Sequence, residues 1–397
     1  MRIANQSPDT PRFDAADGAI ANAAEKSRPR ARDASLDLVR VVAMVLVVVC
    51  HFGPLVTPHH ATVLSVATSL GFLGVPLFVM LTGYLMLGRT YDDATLARFL
   101  KRNLLGMLIA FEIWNFVWCQ LGNVSWLLPG GNGLPTDPTQ ALHAALFVGP
   151  TGNALWYLHM SLALYLGIPI VSWALQKLKG PYRTLLGVCL VLSGTLIPSL
   201  VSLQASLQPA PIPFATVLDM SIFSASVWGH SAWLLFLVVG YAARRLRDRL
   251  RPLPLACGLV ASVVAHSLLS LRLTVTGRKV CNDYDFILVV SSSILLFLLL
   301  LSLGSHIRSQ RTSRALAWVS ERSFGVYVTH LWVIGGLFTV LRHLGIQHDA
   351  PGSAARSLAF LLAGTPVVCV ASLAVVSILA LVPPVRRWAL LMRDRAR

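Results

Sequence analysis

Two ionisable side chains in the first long apolar segment are spaced in a way that could support chemistry. Arg40 and His51 lie eleven residues apart in LDLVRVVAMVLVVVCHF, and only Val, Ala, Met, Leu and Cys separate them. On an α-helix this spacing places both side chains on nearly the same face, about 16 Å apart along the axis. A guanidinium and an imidazole within a membrane are costly unless they have partners or a function. The pair therefore predicts that Arg40 binds a polyanion and that His51 does acid–base chemistry deeper in.

The composition indicates an integral membrane protein. Hydrophobic residues make up 55% of the 397 residues and charged residues only 13%, whereas soluble domains carry about 25% charged residues. Apolar stretches that could cross a hydrocarbon layer of about 30 Å recur along the whole chain. They predict ten spans, at 36–56, 64–87, 103–121, 154–176, 184–203, 230–243, 254–271, 286–304, 323–341 and 357–381. We therefore predict an all-α, polytopic membrane helix bundle of about ten transmembrane helices.

The distribution of Lys and Arg predicts the orientation of these spans. With the N-terminus inside the cell, the inner segments hold 26 of these residues and the outer segments hold five. This bias follows the positive-inside rule, so both termini are predicted to be cytoplasmic. It also accounts for the net charge of +16 without a nucleic-acid partner. The predicted domains are a disordered cytosolic tail at 1–32, a membrane domain at 33–385 and a basic cytosolic tail at 386–397.

Other polar or aromatic side chains within the predicted spans are candidates for supporting roles. They are Glu112, Trp156, Tyr157, His159, Tyr327 and His330. Tyr327 and His330 are three residues apart, so they share a helix face. Glu112 would need a cation, a proton or water if it is buried in the membrane. The alternative for each is a hydrogen bond across helices that serves packing alone. No CxxC spacing occurs, so no metal site is predicted.

Five motifs in this order resemble acyltransferase family 3, a family of integral-membrane acyltransferases. The first is Arg40 with His51, preceded by Asp37. The others are LGVPLFVMLTGYLML at 73–87, ARFLKR at 97–102, LWYL at 155–158 and SFGVYVTH at 323–330. The resemblance covers about residues 33–385, and the layout is similar to that of short bacterial surface-polysaccharide O-acetyltransferases.

The resemblance implies transfer of an acyl group, taken here as acetyl, from acyl-CoA to a sugar hydroxyl. The acceptor would be a surface polysaccharide or a lipid-linked glycan. The enzyme would be a multi-pass protein of the bacterial cytoplasmic (inner) membrane, in contact with membrane lipid. His51 would act as general base or as acyl relay, and the sequence does not decide between these. His330 and Tyr327 would supply a second proton or an oxyanion donor.

Guanidinium and ammonium groups at the predicted inner face suit the phosphates of CoA. We assign Arg40, Arg98, Lys101 and Arg102 to this donor site. Asp37 would orient Arg40, while Trp156, Tyr157, His159 and Glu112 would support the site. Acetyl-CoA is expected as a co-substrate, and we expect no permanently bound cofactor. The sequence leaves open whether the protein forms a homo-oligomer.

A proton-coupled membrane transporter is the alternative function. Ten spans with Gly and Pro interruptions and with buried His and Glu would suit proton-coupled export. The two halves of the sequence show no internal symmetry, which weakens this alternative. Transport without consumption of an acyl donor would distinguish it from acyl transfer.

Overall fold

The computed structural model describes residues 32–121, 139, 155–207, 231–346 and 353–392, and this part of the chain is helical without strands. The helices are α1 (Ala34–Val56), α2 (Ala61–Gly71), α3 (Gly74–Met86), α4 (Asp93–Phe99), α5 (Leu105–Leu121), α6 (Trp156–Lys177), α7 (Pro181–Val191), α8 (Ile197–Leu207), α9 (Ala232–Leu246), α10 (Pro252–Val275), α11 (Ile287–Ser305), α12 (Gln310–His343) and α13 (Ala354–Leu379). Short π-helical segments at Leu100–Leu104 and Leu192–Leu196 join α4 to α5 and α7 to α8.

The chain divides into two units, Met1–Asp33 and Ala34–Arg397, and all of these helices belong to the second. Residues 1–31 of the predicted cytosolic tail lie outside the described residues. Its predicted disorder therefore stays a prediction.

Eight helices among the described residues are long and apolar enough to cross a membrane. Two of the eight combine shorter pieces, because α2 continues into α3 and α7 continues into α8. The predicted spans at 103–121 and 230–243 correspond to α5, with 17 residues, and α9, with 15 residues. The prediction of an all-α, polytopic membrane bundle is therefore confirmed.

Local sequence explains where several of these helices begin. The side chains of Asp92, Ser309 and Ser353 accept hydrogen bonds from backbone N–H groups in the first turns of α4, α12 and α13. Such caps satisfy donors that have no partner within the helix. Pro181 and Pro252 occupy the first positions of α7 and α10, where the lack of an N–H has no cost.

One end of the bundle gathers arginine side chains, and we call it the basic end. Arg247, which follows α9, donates to Ser35 Oγ at the start of α1 at 2.9 Å. Arg244 donates to the carbonyl of Leu87, directly after α3, at 3.2 Å. The start of α1 and the ends of α3 and α9 therefore meet at the basic end. The ends of α1 and α12 point to the other side of the bundle, which we call the opposite end.

Helix α1 lies in the centre of the bundle and approaches α2 and α3 closely. A Cβ atom added to Gly71 would lie 2.6 Å from the Cα atom of Cys50, and one added to Gly74 would lie 2.9 Å from the backbone nitrogen of Val47. Small residues allow such close packing of helices in membranes. These contacts hold the middle of α1 against the junction between α2 and α3.

The chain returns into the bundle after α13. A π-helical segment, Val385–Ala389, leads to Ala389 and Leu390, which are 5% and 1% exposed. The indole Nε1 of Trp114 on α5 donates to the carbonyl of Ala389 at 2.7 Å. The packed part of the chain therefore extends to Leu390, past the domain boundary that the sequence analysis placed at 385.

Candidate active site

Two helices that are far apart in the sequence form the candidate active site. Arg40 Nη1 on α1 donates to Ser320 Oγ on α12 at 3.4 Å. The rings of His51 and His330 have centroids 5.1 Å apart. The steps of eleven residues on α1 and ten on α12 match, so the two helices run in the same direction. We call Arg40 with Ser320 and Asp37 the arginine layer, and His51 with His330 the histidine layer. About 16 Å along α1 separates the two layers.

The hydrogen bonds of His330 define which of its ring nitrogens can accept a proton. Nδ1 lies 2.7 Å from the backbone carbonyl of Tyr327, and the ring is fully buried. A carbonyl only accepts, so Nδ1 carries the hydrogen and Nε2 of the neutral ring carries the lone pair. Among the described residues, Nε2 has no hydrogen-bond partner. Buried polar atoms usually have a partner, so this nitrogen is suited to a bound hydroxyl or to the ring of His51.

A cavity of about 240 Å³ opens beside His51, and we call it the aromatic cavity. It is lined by Val47, Cys50, His51, Gly71, Phe72, Val75, Trp156, Tyr157, Tyr284 and Tyr327. His51 is five residues from the end of α1, or about 8 Å, and Trp156 begins α6. The aromatic cavity therefore lies nearer to the opposite end than to the basic end.

Two rings that line the aromatic cavity, Trp156 and Tyr284, pack together with a third ring, Trp233. The centroids of Trp156 and Tyr284 are 5.5 Å apart, those of Trp233 and Tyr284 are 5.0 Å apart, and those of Trp156 and Trp233 are 5.9 Å apart. Tyr284 lies in the connection between α10 and α11, and burial raises the pKa of its hydroxyl above the usual value. The phenol therefore stays protonated at neutral pH and can donate a hydrogen bond.

Tyr157 and Tyr327 bring two further phenol rings to the aromatic cavity. Their centroids are 5.5 Å apart in an edge-to-face arrangement. The ring of Tyr327 also lies 6.4 Å from that of His330. The structure thus brings together five predicted site residues in or beside one cavity, namely His51, Trp156, Tyr157, Tyr327 and His330.

Two predicted supporting residues lie elsewhere. His159 is exposed and stacks on Phe111 of α5, with ring centroids 5.8 Å apart. Glu112 follows Phe111 on α5 and is half-buried. Neither residue lines the aromatic cavity. His159 directly follows the motif LWYL at 155–158 but does not line the cavity with Trp156 and Tyr157, because successive side chains on a helix point in different directions.

The predicted partner of Arg40 is in place. Arg40 Nη1 lies 3.5 Å from Asp37 Oδ1, and the side chains are 32% and 2% exposed. The buried carboxylate and Ser320 Oγ both contact the same guanidinium nitrogen, Nη1, and the Arg40 side chain is partly exposed. This contact, one helical turn apart, is compatible with the predicted role of Asp37, which stays a prediction.

The other predicted donor-binding residues are exposed near the basic end. Arg98 donates to Ala94 O at 3.2 Å and to Thr95 Oγ1 at 3.3 Å, both within its own helix. Lys101 and Arg102 are exposed on the π-helical segment before α5. The described contacts do not join these three residues to the arginine layer.

Arg244 and Arg247 are candidates for phosphate binding that the sequence analysis treated only as topology signals. Arg247 Nη1 donates to the hydroxyl of Tyr84 at 3.2 Å, besides its bond to Ser35. The guanidinium of Arg244 lies 5.8 Å from the centre of the Tyr84 ring. Ser35 is five residues before Arg40, so these guanidiniums reach the end of α1 that carries Arg40. The available signal was their three-residue spacing across the end of α9.

One comparison with known proteins gives a result. A family model described as an acyltransferase domain matches residues 33–381, which include all of α1 to α13. No curated protein and no solved structure matches the chain. Among the described residues, no group of three or more His, Cys, Asp or Glu side chains could hold a metal ion.

Proposed function

The chain belongs to acyltransferase family 3, and from this premise we propose that it transfers an acetyl group from acetyl-CoA to a sugar hydroxyl. The acceptor is a glycan of the cell envelope, either a surface polysaccharide or a lipid-linked glycan. The observation that carries the proposal is the histidine layer beside the aromatic cavity. In this layer, Nε2 of His330 has no hydrogen-bond partner among the described residues. Family membership favours this function over the transporter.

The donor binds from the basic end. The phosphates of CoA contact Arg40, and Arg244 and Arg247 lie near enough to the start of α1 to add two guanidiniums. Guanidinium groups bind phosphates with paired hydrogen bonds. The exposed Arg98, Lys101 and Arg102 raise the local concentration of the anion through their field. The flexible arm of CoA then follows α1 for about 16 Å, from the arginine layer to the histidine layer.

The chemical step takes place at His51. Its neutral imidazole removes the proton of the sugar hydroxyl while the hydroxyl oxygen attacks the thioester carbonyl. The new C–O bond forms, the C–S bond breaks, and the imidazolium returns the proton to the departing thiolate of CoA. In the alternative order, His51 first accepts the acetyl group and then passes it to the sugar. The protonated phenols of Tyr284 and Tyr327 line the cavity where the carbonyl oxygen gains charge.

His330 supports this step from the second helix. Its Nε2 can accept a hydrogen bond from the sugar hydroxyl or from an N–H of His51. In the second case it selects the tautomer of His51 whose lone pair faces the aromatic cavity. His330 is then a positioning residue and His51 the reacting base.

The proposed test of the function is transfer by the purified full chain. Acetyl-CoA labelled in the acetyl group is mixed with glycan extracted from the envelope of the source cells. We expect base-labile label in the glycan and one free CoA for each ester formed. Release of CoA without label in any glycan, or movement of a solute without release of CoA, would contradict the proposal.

The proposed orientation places the basic end in the cytoplasm of a bacterial cell and the aromatic cavity near the outer face. Cysteine substitutions at two exposed residues test this orientation. Lys179 lies at the basic end of the bundle, and Arg342 lies at the opposite end. We expect Arg342→Cys to react with a membrane-impermeant thiol reagent in intact cells and Lys179→Cys to react only after lysis. The reverse pattern would place Arg40 on the side without acetyl-CoA and would contradict the proposed donor.

A further inference from the structure

A second cavity lies on the other side of the histidine layer, between α1, α12 and α13. It measures about 350 Å³ and is lined only by apolar residues, and we call it the apolar groove. Its main walls are Leu337 and Leu341 on α12 and Phe360, Ala363 and Val367 on α13, with Phe52 at the base. Neighbouring side chains of α13 such as Leu362 and Val370 are 65% and 66% exposed on its outer surface. The groove therefore opens toward the lipid.

The base of the apolar groove is one residue away from the proposed catalytic base. Phe52 follows His51 directly, is 1% exposed and stacks on Phe338 with ring centroids 5.8 Å apart. A Cβ atom added to Gly364 would overlap the ring of Phe52, so only glycine leaves room for this ring against α13. The groove and the aromatic cavity thus flank adjacent residues of α1.

A cation lies at the mouth of the apolar groove. Arg356 is in the first turn of α13, and its guanidinium lies 5.7 Å from the centre of the Phe360 ring, which lines the groove. Arg356, Phe360 and Ala363 follow at the helical spacing of one face. From Ala359 to Val367 the groove runs about 12 Å along α13, and Arg356 lies about one helical turn beyond Ala359. Among the described residues of α12 and α13 that follow His330, Arg342 and Arg356 are the two Lys or Arg residues.

We propose that the apolar groove holds the hydrocarbon chain of a phosphate-linked lipid carrier and that Arg356 binds its phosphate. The acceptor is then the lipid-linked form of the glycan, and this inference rests on the proposed function. An apolar groove of about 350 Å³ suits a segment of a hydrocarbon chain. A guanidinium at its mouth matches the single strongly anionic group of such a lipid. The sugar attached to that phosphate lies at the opposite end, where the aromatic cavity also lies.

Lipid binding tests this proposal without the need for transfer. The detergent-purified full chain is loaded with undecaprenyl phosphate or with phosphatidylglycerol, and retained lipid is measured by native mass spectrometry. Ala363→Trp fills the groove, and Leu362→Trp is the matched control on the exposed neighbouring position. We expect at least tenfold more retained undecaprenyl phosphate than phosphatidylglycerol, loss of that preference in Ala363→Trp and no change in Leu362→Trp. Arg356→Gln should weaken retention about tenfold, since it removes a charged hydrogen-bond donor.

Equal retention of both lipids would show a bulk-lipid surface and would overturn the proposal, as would unchanged retention in Ala363→Trp. Transfer assays with the lipid-linked glycan and with the same glycan released by mild acid then separate the two proposals. We expect Ala363→Trp to lower the ratio of lipid-linked to released activity at least tenfold. A wild-type chain that acetylates neither form contradicts the proposed function, while the binding result still decides the groove. If the wild-type chain acetylates both forms equally and Ala363→Trp leaves the ratio unchanged, the proposal for the apolar groove is overturned and the proposed function is not.

Discussion

The arginine layer and the histidine layer are built by the same two helices, yet they differ in their access to solvent. Arg40 is 32% exposed and has a buried carboxylate and a hydroxyl as partners. His330 is fully buried, and His51 faces a cavity walled by aromatic rings. The difference separates tasks. In the proposed function, the phosphates bind at the partly exposed arginine layer, and the reacting groups lie where a low dielectric strengthens each hydrogen bond.

The largest expected effect tests the histidine layer. His51→Ala should lower acetyl transfer by about 10²- to 10⁴-fold, because the general base is lost. The matched control is His343→Ala, an exposed histidine at the end of α12. Initial rates at saturating acetyl-CoA, with equal amounts of membrane-inserted protein, measure the effect. More than a few per cent residual activity in His51→Ala would remove His51 from the reacting role.

A smaller effect is expected for the second histidine. His330→Gln should lower kcat about 10- to 100-fold and leave the KM for acetyl-CoA unchanged, because His330 positions the base and does not touch the phosphates. The split between kcat and KM is the measurement, and thermal unfolding of the purified variant controls for stability. A raised donor KM with an unchanged kcat would instead assign His330 to donor binding.

Substitution of Arg40 in the arginine layer should change mainly the KM for acetyl-CoA. Arg40→Lys keeps the charge but loses the paired geometry of the guanidinium, so the KM for acetyl-CoA should rise about tenfold with little change in kcat. Arg322→Lys on α12 is a control, because this guanidinium stacks on Trp318 and bonds to Ser377, away from Arg40. An unchanged KM for acetyl-CoA in Arg40→Lys would contradict the assignment of donor binding to the arginine layer.

The smallest effect concerns the exposed cations before α5. Arg102→Gln should lower kcat/KM for acetyl-CoA about two- to threefold at low ionic strength, and the difference should vanish at high salt. Charges that act through their field are screened over about 10 Å at 0.1 M salt. A large effect that persists at high salt would show direct contact with the phosphates and would join Arg102 to the donor site.

The parts of the fold that sequence could predict are those with a local cause. Apolar length predicted the eight helices among the described residues that could cross a membrane, and the eleven-residue step placed Arg40 and His51 on one face of α1. The joining of these residues to Ser320 and His330 depends on how helices pack, because their partners are about 280 residues away. Such contacts have no local signal, although the motif at 323–330 indicated which histidine to consider.

Other site residues were missed for the same physical reason. Tyr284 lies in a connection, where no periodicity distinguishes an inward side chain from an exposed one. Arg244 and Arg247 resemble the many arginines that set topology, and only the contacts with Ser35 and Tyr84 set them apart. The return of the chain to Ala389 follows two prolines and a basic pair, which usually mark the end of a packed domain.

The pairing of α1 with α12 has a consequence for the time course of synthesis. The ribosome makes Ser320 and His330 about 280 residues after Arg40 and His51. At about 5–20 residues per second, the first helix waits for some tens of seconds before its partners exist. During that interval the glycines of α2 and α3 supply its close neighbours. Helix α1 is thus made before the other described helices and is among the last of them to complete its contacts.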